Sequence, residues 1–410
     1  DVERSRGLGD VYKRQIYHQD DIMSGDVHRA EGWKVPAATM VKNAVSVPVV
    51  ATGSIRHPDF VDQIISEGKC DMVGMGRGIL AEREWVKKCA EGREDELRYC
   101  ISCMNCFNVN PFSYEQTNCS VNPFALREGS KRPIVQDGDG RLVAVIGAGP
   151  AGMEAAVTLK QRGFDVVVFD KRDEIGGNLH VAKKPPFKGK FEWAIDYYKS
   201  MAKKLNITMK LGKEVTAQEV LALKPYSILV ATGSNVISIP LEGLDQVQTV
   251  QAHDVLANDM QFANKKVVVI GGGITGLETA LYINRQSTNQ VSVVDMLPEW
   301  PVDMLDMRYQ NEALLEVRHC NDQGVALFYN NKVVKFADGK LFIESTKDGE
   351  VKELPADVIV LSVGVKPNDA LWQELLASGH PSVWKAGDAI ATGKINKAVL
   401  HGSKFGYSLS

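Results

Sequence analysis

Four cysteines crowd into one short stretch: Cys100, Cys103, Cys106 and Cys119, spaced C-x2-C-x2-C-x12-C. Three thiolates on a tight loop can hold three corners of a cubane, with a later cysteine on the fourth. All-thiolate ligation of this kind suits a [4Fe–4S] cluster. Zinc more often takes two separated C-x2-C pairs, which this spacing fits poorly. The crowding also argues for a metal in a reducing, cytoplasmic setting rather than for a disulfide framework. Cys70, Cys89 and Cys320 are scattered and read as small buried or inert thiols.

The second chemical signal is a glycine pattern that occurs twice. Gly147-Ala-Gly149-Pro-Ala-Gly152 follows the apolar run Leu142 to Ile146, and Gly271-Gly-Gly273-Ile-Thr-Gly276 follows Val267 to Ile270. In such a turn the first glycine permits the bend, the second lets a pyrophosphate approach the backbone, and the third lets helix and strand pack closely. The helix that follows presents free N–H groups and its positive dipole end to phosphate. Each copy has a second apolar run ending in an acid: Asp170 after Asp165 to Phe169, and Asp295 after Val291 to Val294. That carboxylate can bind a ribose hydroxyl. Beside a free 2′-hydroxyl it is favourable, and it repels a 2′-phosphate. Met296 to Pro301 contain no lysine or arginine, and Glu299 adds negative charge, so the second copy favours NADH over NADPH. The bland alternative is that Asp295 faces solvent and discrimination lies elsewhere.

The elements that must carry these residues read as an α/β chain. Val47 to Ala51 and Asp71 to Met75 are expected to be buried parallel strands. Between them a helix over Pro58 to Glu67 would present Phe60, Val61, Ile64 and Ile65 on one face and stop at Gly68. Another helix ends near Gly92. Arg127 to Gly140 is a polar linker, and Met153 to Gln161 is the helix of the first glycine copy. With 410 residues there is room for two or three domains. A net charge of −3 argues against nucleic acid as the main partner, and no apolar run is long enough to span a membrane. The chain starts at Asp1, and residues 1–15 lack periodicity, so they are expected to be a non-native leader.

Two glycine fingerprints in one chain resemble the two-dinucleotide flavin reductases, a likeness that extends to Ala231-Thr-Gly233, Gly176-Gly177 and Ala386-Gly387-Asp388. By that resemblance FAD sits on Gly147, Gly149, Gly152, Asp170, Gly177 and Asp388. The nicotinamide nucleotide sits on Gly271, Gly273, Gly276 and Asp295. The order of parts, with Pro48-Val-Val-Ala-Thr-Gly53, Glu67 to Arg77, Cys100-Ile-Ser-Cys103 and Cys119-Ser-Val-Asn-Pro123, resembles the 2,4-dienoyl-CoA reductase and trimethylamine dehydrogenase family. That resemblance implies a C-terminal remnant of a TIM barrel, a [4Fe–4S] loop and two Rossmann-like domains. Residues 16–99 would be the end of an FMN-binding barrel, 100–140 the cluster loop and linker, and 141–245 the first part of the FAD domain. The NAD(P)H domain would be 246–365, and 366–410 the second part of the FAD domain, with a truncated end. Gly53 and Ser54, with Gly76 and Arg77, match the barrel loops that hold the FMN phosphate. Arg77 would pair with that phosphate, unless it forms a surface salt bridge. His28 falls where some relatives place an active-site histidine, and a surface-loop histidine is an equal reading. The earlier barrel strands, with the usual proton donors, would lie outside this sequence.

The leading expectation is an NADH-dependent ene-reductase, with FAD, the cluster and FMN serving a small-molecule substrate that carries an activated alkene. An amine dehydrogenase delivering electrons to an electron-transfer flavoprotein is the second reading, and the cysteine spacing is of that type. A diaphorase-like electron-supply module is the third. Assembly into a homo-oligomer is left open by the sequence.

Overall fold

A computed structural model of the chain describes residues 29–106, 118–130, 133–298 and 307–410. His28, Glu299 and the leader-like residues 1–15 lie outside the described residues.

The first α/β segment is a parallel pair, β1 (Val50–Ala51) with β2 (Met72–Val73), in register Val50↔Met72. Between them runs the helix Pro58–Ser66, opened by proline at its first turn and by Asp59, whose charge suits the helix N-terminus. It buries Val61 and Ile64, while Ile65 is 39% exposed, so the apolar face is narrower than the sequence suggests. Gly68 closes the helix at φ +69, the left-handed conformation of a C-terminal stop. The strands differ from expectation in burial. Val50 and Met72 are each 49% exposed, because each strand has one partner and no described element covers that face. Only the other side is packed, around Val35, Ala51, Ile55, Ile64 and Trp85.

The rest of the chain builds two nested parallel sheets. β3 (Leu142–Ile146), β4 (Asp165–Phe169), β5 (Thr208–Lys210) and β6 (Ser227–Val230) belong to the first. The chain then leaves through β7 (Ser234–Val236). The second sheet collects β8 (Gln248–Gln251), β9 (Lys266–Ile270), β10 (Gln290–Val294) and β11 (Ala326–Phe328). An antiparallel meander follows: β12 (Asn331–Ala337), β13 (Lys340–Ser345) and β14 (Val351–Pro355). β15 (Val358–Leu361) inserts between β9 and β8, and β16 (Val365–Pro367) pairs antiparallel with β7. Finally β17 (Val383–Lys385) pairs with β6 in the first sheet. The orders are β17-β6-β3-β4-β5 and β11-β10-β9-β15-β8, with each glycine loop leaving the middle strand. Such a middle strand is buried on both faces, which is why it reads as an unbroken apolar run. Val143, Ala144 and Val145 have no exposure, nor do Val267 and Val269. No helix of the described residues is long and apolar enough to cross a membrane.

Candidate functional site

The two glycine loops are built alike. A Cβ on Gly152 would stand 1.9 Å from the Gly147 carbonyl oxygen, and one on Gly276 1.9 Å from that of Gly271. These are the close helix–strand approaches that the third glycine has to permit. The second glycine of each loop faces room. Around Gly273 a Cβ would meet nothing within 4 Å, and around Gly149 only Gly177 Cα at 3.9 Å. Helices Pro150–Gln161 and Ile274–Asn284 start at these open points, with Gly149 and Gly273 as their N-caps. A diphosphate could therefore meet free backbone N–H groups at either place.

The acids close on the same loops. Asp170 Oδ2 accepts from Ala148 N at 2.7 Å and Oδ1 from Arg172 N at 2.8 Å. Asp295 repeats this, with Oδ2 accepting from Gly272 N at 2.6 Å and Oδ1 from Leu297 N at 2.8 Å. Each carboxylate is thus fixed at the rim of its loop rather than turned to solvent. Gly177, at φ +54, packs against Gly149, and its carbonyl accepts from Arg172 at 2.5 Å. Asp388 accepts from Gly393 N at 3.1 Å and Ser234 Oγ at 3.3 Å, and burial pushes its carboxyl pKa up. The helix that follows, Ile395–Ser408, packs on Pro150–Gln161 so closely that a Cβ on Gly402 would reach the Ala151 oxygen at 2.1 Å.

The cysteine segment lies against the first glycine-loop unit. Cys100, Cys103 and Cys119 share one core with Ile101, Val121 and Phe191. Cys103 Sγ donates to Ser120 Oγ at 3.1 Å. Burial, reinforced by the neighbouring Cys103 and Cys100, raises the Cys106 thiol to about 11 and the Cys119 thiol to about 12. All four sulfurs therefore act on a common region. Among the described residues no group of three or more His, Cys, Asp or Glu side chains is drawn together as tightly as a single metal ion requires. The four thiols of a cubane bind four different irons and stand further apart than the ligands of one ion. The donor set is all-sulfur, with Cys100 buried and Cys103, Cys106 and Cys119 partly so, which fits a cluster.

The loops after β1 and β2 reach the same segment. Gly53 has φ +118 and Ser54 φ +60; the Ser54 hydroxyl is buried with no hydrogen-bond partner among the described residues, an orphan that a phosphate oxygen would satisfy. Gly76 opens the turn before Arg77, and a Cβ there would meet open space. The Arg77 guanidinium is not aimed at Ser54 but donates to Met104 Sδ at 2.7 Å, inside the cysteine segment. Arg56, 2% exposed, bonds the Ser54 carbonyl at 2.5 Å and Ser102 Oγ, and lies 5.5 Å from the Trp193 ring. Arg56 escaped the sequence reading, since nothing in Ile55-Arg56-His57 announces a buried cation.

Three asparagines escaped it too. Asn105 Nδ2 donates to Asn118 O at 2.9 Å and to Asn118 Oδ1 at 2.6 Å. Asn396 Nδ2 donates to the same Asn118 Oδ1 at 3.0 Å. The signal was an asparagine directly before both Cys106 and Cys119.

Comparison with known proteins fits this geometry. Residues 141–399 match the pyridine nucleotide-disulphide oxidoreductase family, and residues 10–96 the NADH:flavin oxidoreductase / NADH oxidase family. An NADH oxidase of Thermoanaerobacter brockii is 34% identical over 92% of this chain and 58% of its own length. A cinnamate reductase of Clostridium sporogenes is 28% identical over 87% of this chain and 54% of its own. The solved 2-naphthoyl-CoA reductase complex superposes with TM-score 0.87 at 28% identity, covering 94% of this chain and 58% of that one. The chain belongs to the 2,4-dienoyl-CoA reductase and trimethylamine dehydrogenase family of flavin oxidoreductases. It carries flavin- and pyridine-nucleotide-binding domains, and spans a little over half the length of these relatives.

Proposed function

We propose that this chain is the electron-input part of an NADH-dependent flavin and iron–sulfur reductase that saturates an activated C=C bond. The observation that supports the reading most is a four-thiol segment in contact with both the FMN-type loops, through Arg77 and Arg56, and the first glycine-loop unit. Held there, FAD would supply hydride acceptance with single-electron release, a [4Fe–4S] cluster one-electron carriage, and FMN hydride delivery to carbon. The chain's own residues bind and orient. Gly273 and the N-terminus of Ile274–Asn284 take the NADH diphosphate, and Asp295 selects a free ribose 2′-hydroxyl. Gly149, Asp170, Gly177 and Asp388 hold FAD. Cys100, Cys103, Cys106 and Cys119 ligate the cluster, while Ser54 and the backbone around Gly53 and Gly76 receive the FMN phosphate. Transfer of hydride from NADH to FAD would be the task of the two nested sheets.

The test is anaerobic purification followed by rapid mixing with NADH or NADPH. The expected outcome is about four iron and four sulfide per chain and flavin bleaching with a much higher kcat/KM for NADH. Zinc without sulfide would overturn the cluster assignment. A preference for NADPH would overturn the role of Asp295.

A further inference from the structure

Asn396 occupies the first turn of the helix Ile395–Ser408, just after the loop that holds Asp388. Its amide nitrogen donates to Asn118 Oδ1. Asn118 Oδ1 is already the acceptor for Asn105 Nδ2, so the nitrogen of Asn396 has to face it and the oxygen has to point away. That oxygen is out of contact with solvent and has no hydrogen-bond partner among the described residues. A buried amide carbonyl without a donor is unfavourable, and in a native protein such an orphan calls for a missing partner. His401 Nδ1, on the same helix and close enough to Asp388 to feel its charge, is a second buried polar atom without a partner among the described residues. The elements around it are those assigned to FAD.

We propose that Asn396 is a flavin-binding residue that joins the FAD site to the cysteine segment: its amide oxygen accepts from an N–H or ribityl O–H of the flavin while its nitrogen holds Asn118. The inference rests on the assignment of FAD to the first glycine loop. Its consequence is a continuous amide chain, Asn105–Asn118–Asn396, whose first two members directly precede Cys106 and Cys119. One side chain then fixes the position of the flavin relative to two of the four thiols. Asn118 belongs to this chain without facing the flavin, so the two residues separate by substitution.

The experiment uses the full chain, stripped of flavin and titrated with FAD by fluorescence quenching, with the flavin midpoint potential measured by redox titration. Asn396→Leu should weaken FAD binding about tenfold, the worth of one neutral hydrogen bond. Asn118→Ala should leave FAD affinity within about twofold, since only the link to the cysteine segment is cut. Asn396→Asp keeps an acceptor and adds a negative charge, so FAD should stay bound at a lower midpoint potential. Asn396→Leu with wild-type FAD affinity overturns the proposal. Should that variant fail to fold, Asn396→Asp decides: a lowered potential supports the contact, and an unchanged one overturns it. Wild-type chain that binds no FAD would instead sink the underlying cofactor assignment.

Discussion

Glu154 and Glu278 stand at the same offset from the first glycine of their respective loops, on the helices Pro150–Gln161 and Ile274–Asn284. Both are buried, at 2% and 7% exposure, and each is paired with a cation from outside its own unit. Glu154 takes the fork of Arg98 at 2.8 and 3.0 Å and the Tyr198 hydroxyl at 3.1 Å. Arg98 precedes Cys100 and also bonds the Val121 carbonyl at 2.6 Å. Glu278 pairs with Lys188, which belongs to the first unit. One position in the repeated unit therefore serves twice as a hitch: the first unit is tied to the cysteine segment, the second to the first. The two hitches differ in kind. Arginine offers a planar, bidentate fork and lysine a point charge. Burial opposes the charge on Arg98, but the Glu154 carboxylate outweighs it and holds the guanidinium well above its usual pKa.

The largest effect is expected from cutting the first hitch. Arg98→Met leaves Glu154 buried beside Tyr198 alone, a situation that costs about 3–5 kcal/mol. That corresponds to a fall in Tm on the order of 10 °C. Replacing both charges, Arg98→Met with Glu154→Leu, should recover most of the loss, because a well-packed apolar pair is tolerated where a lone charge is not. Thermal unfolding of the three proteins checks this. A double variant no better than Arg98→Met would show that the arginine acts by packing on Tyr197, whose ring lies 4.2 Å from it.

Cutting the second hitch should be milder and more local. Lys188→Met removes the Lys188 partner of buried Glu278, yet other contacts between the units survive. Lys184 keeps its pair with Asp259 at 2.5 Å, and Arg285 still lies 4.5 Å from the Phe187 ring. Global Tm should fall by about half as much as for Arg98→Met. FAD should stay bound, while flavin reduction by NADH slows and the second unit becomes the first site of proteolysis. Loss of FAD from Lys188→Met would break the comparison, since it would mean that Lys188 supports the first unit rather than the second.

The glycine units were legible as a repeat; the glutamates at one offset within them, and their partners, were not. Strands such as β3 and β9 announce themselves by apolar runs that end in a glycine turn, and the structure places them within a residue of the expected bounds. Local spacing carries that information. Arg98 and Lys188 meet their carboxylates only through tertiary packing, and no periodicity links them. The asparagine chain escaped for the same reason. At β1 and β2 an apolar run was read as a buried parallel strand, whereas Val50 and Met72 are half exposed. Composition tells that a strand wants cover, not whether the cover is among the residues at hand. Arg77 shows a further limit: a family resemblance offers it as a phosphate ligand, whereas its guanidinium donates to Met104.

The smallest effect on stability should come from the glycine at the mouth of each loop, and it separates the two units by function. Gly273 has φ −68, an ordinary backbone conformation for any residue, and a Cβ there meets no atom within 4 Å. Gly273→Ala should therefore leave Tm within about 1 °C, as substitutions away from packed features do. The added methyl occupies the space through which a diphosphate approaches the helix N-terminus. KM for NADH should rise about tenfold, the equivalent of losing one or two backbone contacts to phosphate, with FAD content and its rate of reduction by dithionite unchanged. Gly149→Ala, with φ −76 and its nearest atom at 3.9 Å, should do the reverse, lowering FAD content while the second unit still binds NADH. If Gly273→Ala released FAD, or Gly149→Ala raised only KM, the nucleotides would be the other way round in the two loops. The hitches at Glu154 and Glu278 would then tie the cysteine segment to the nicotinamide site first.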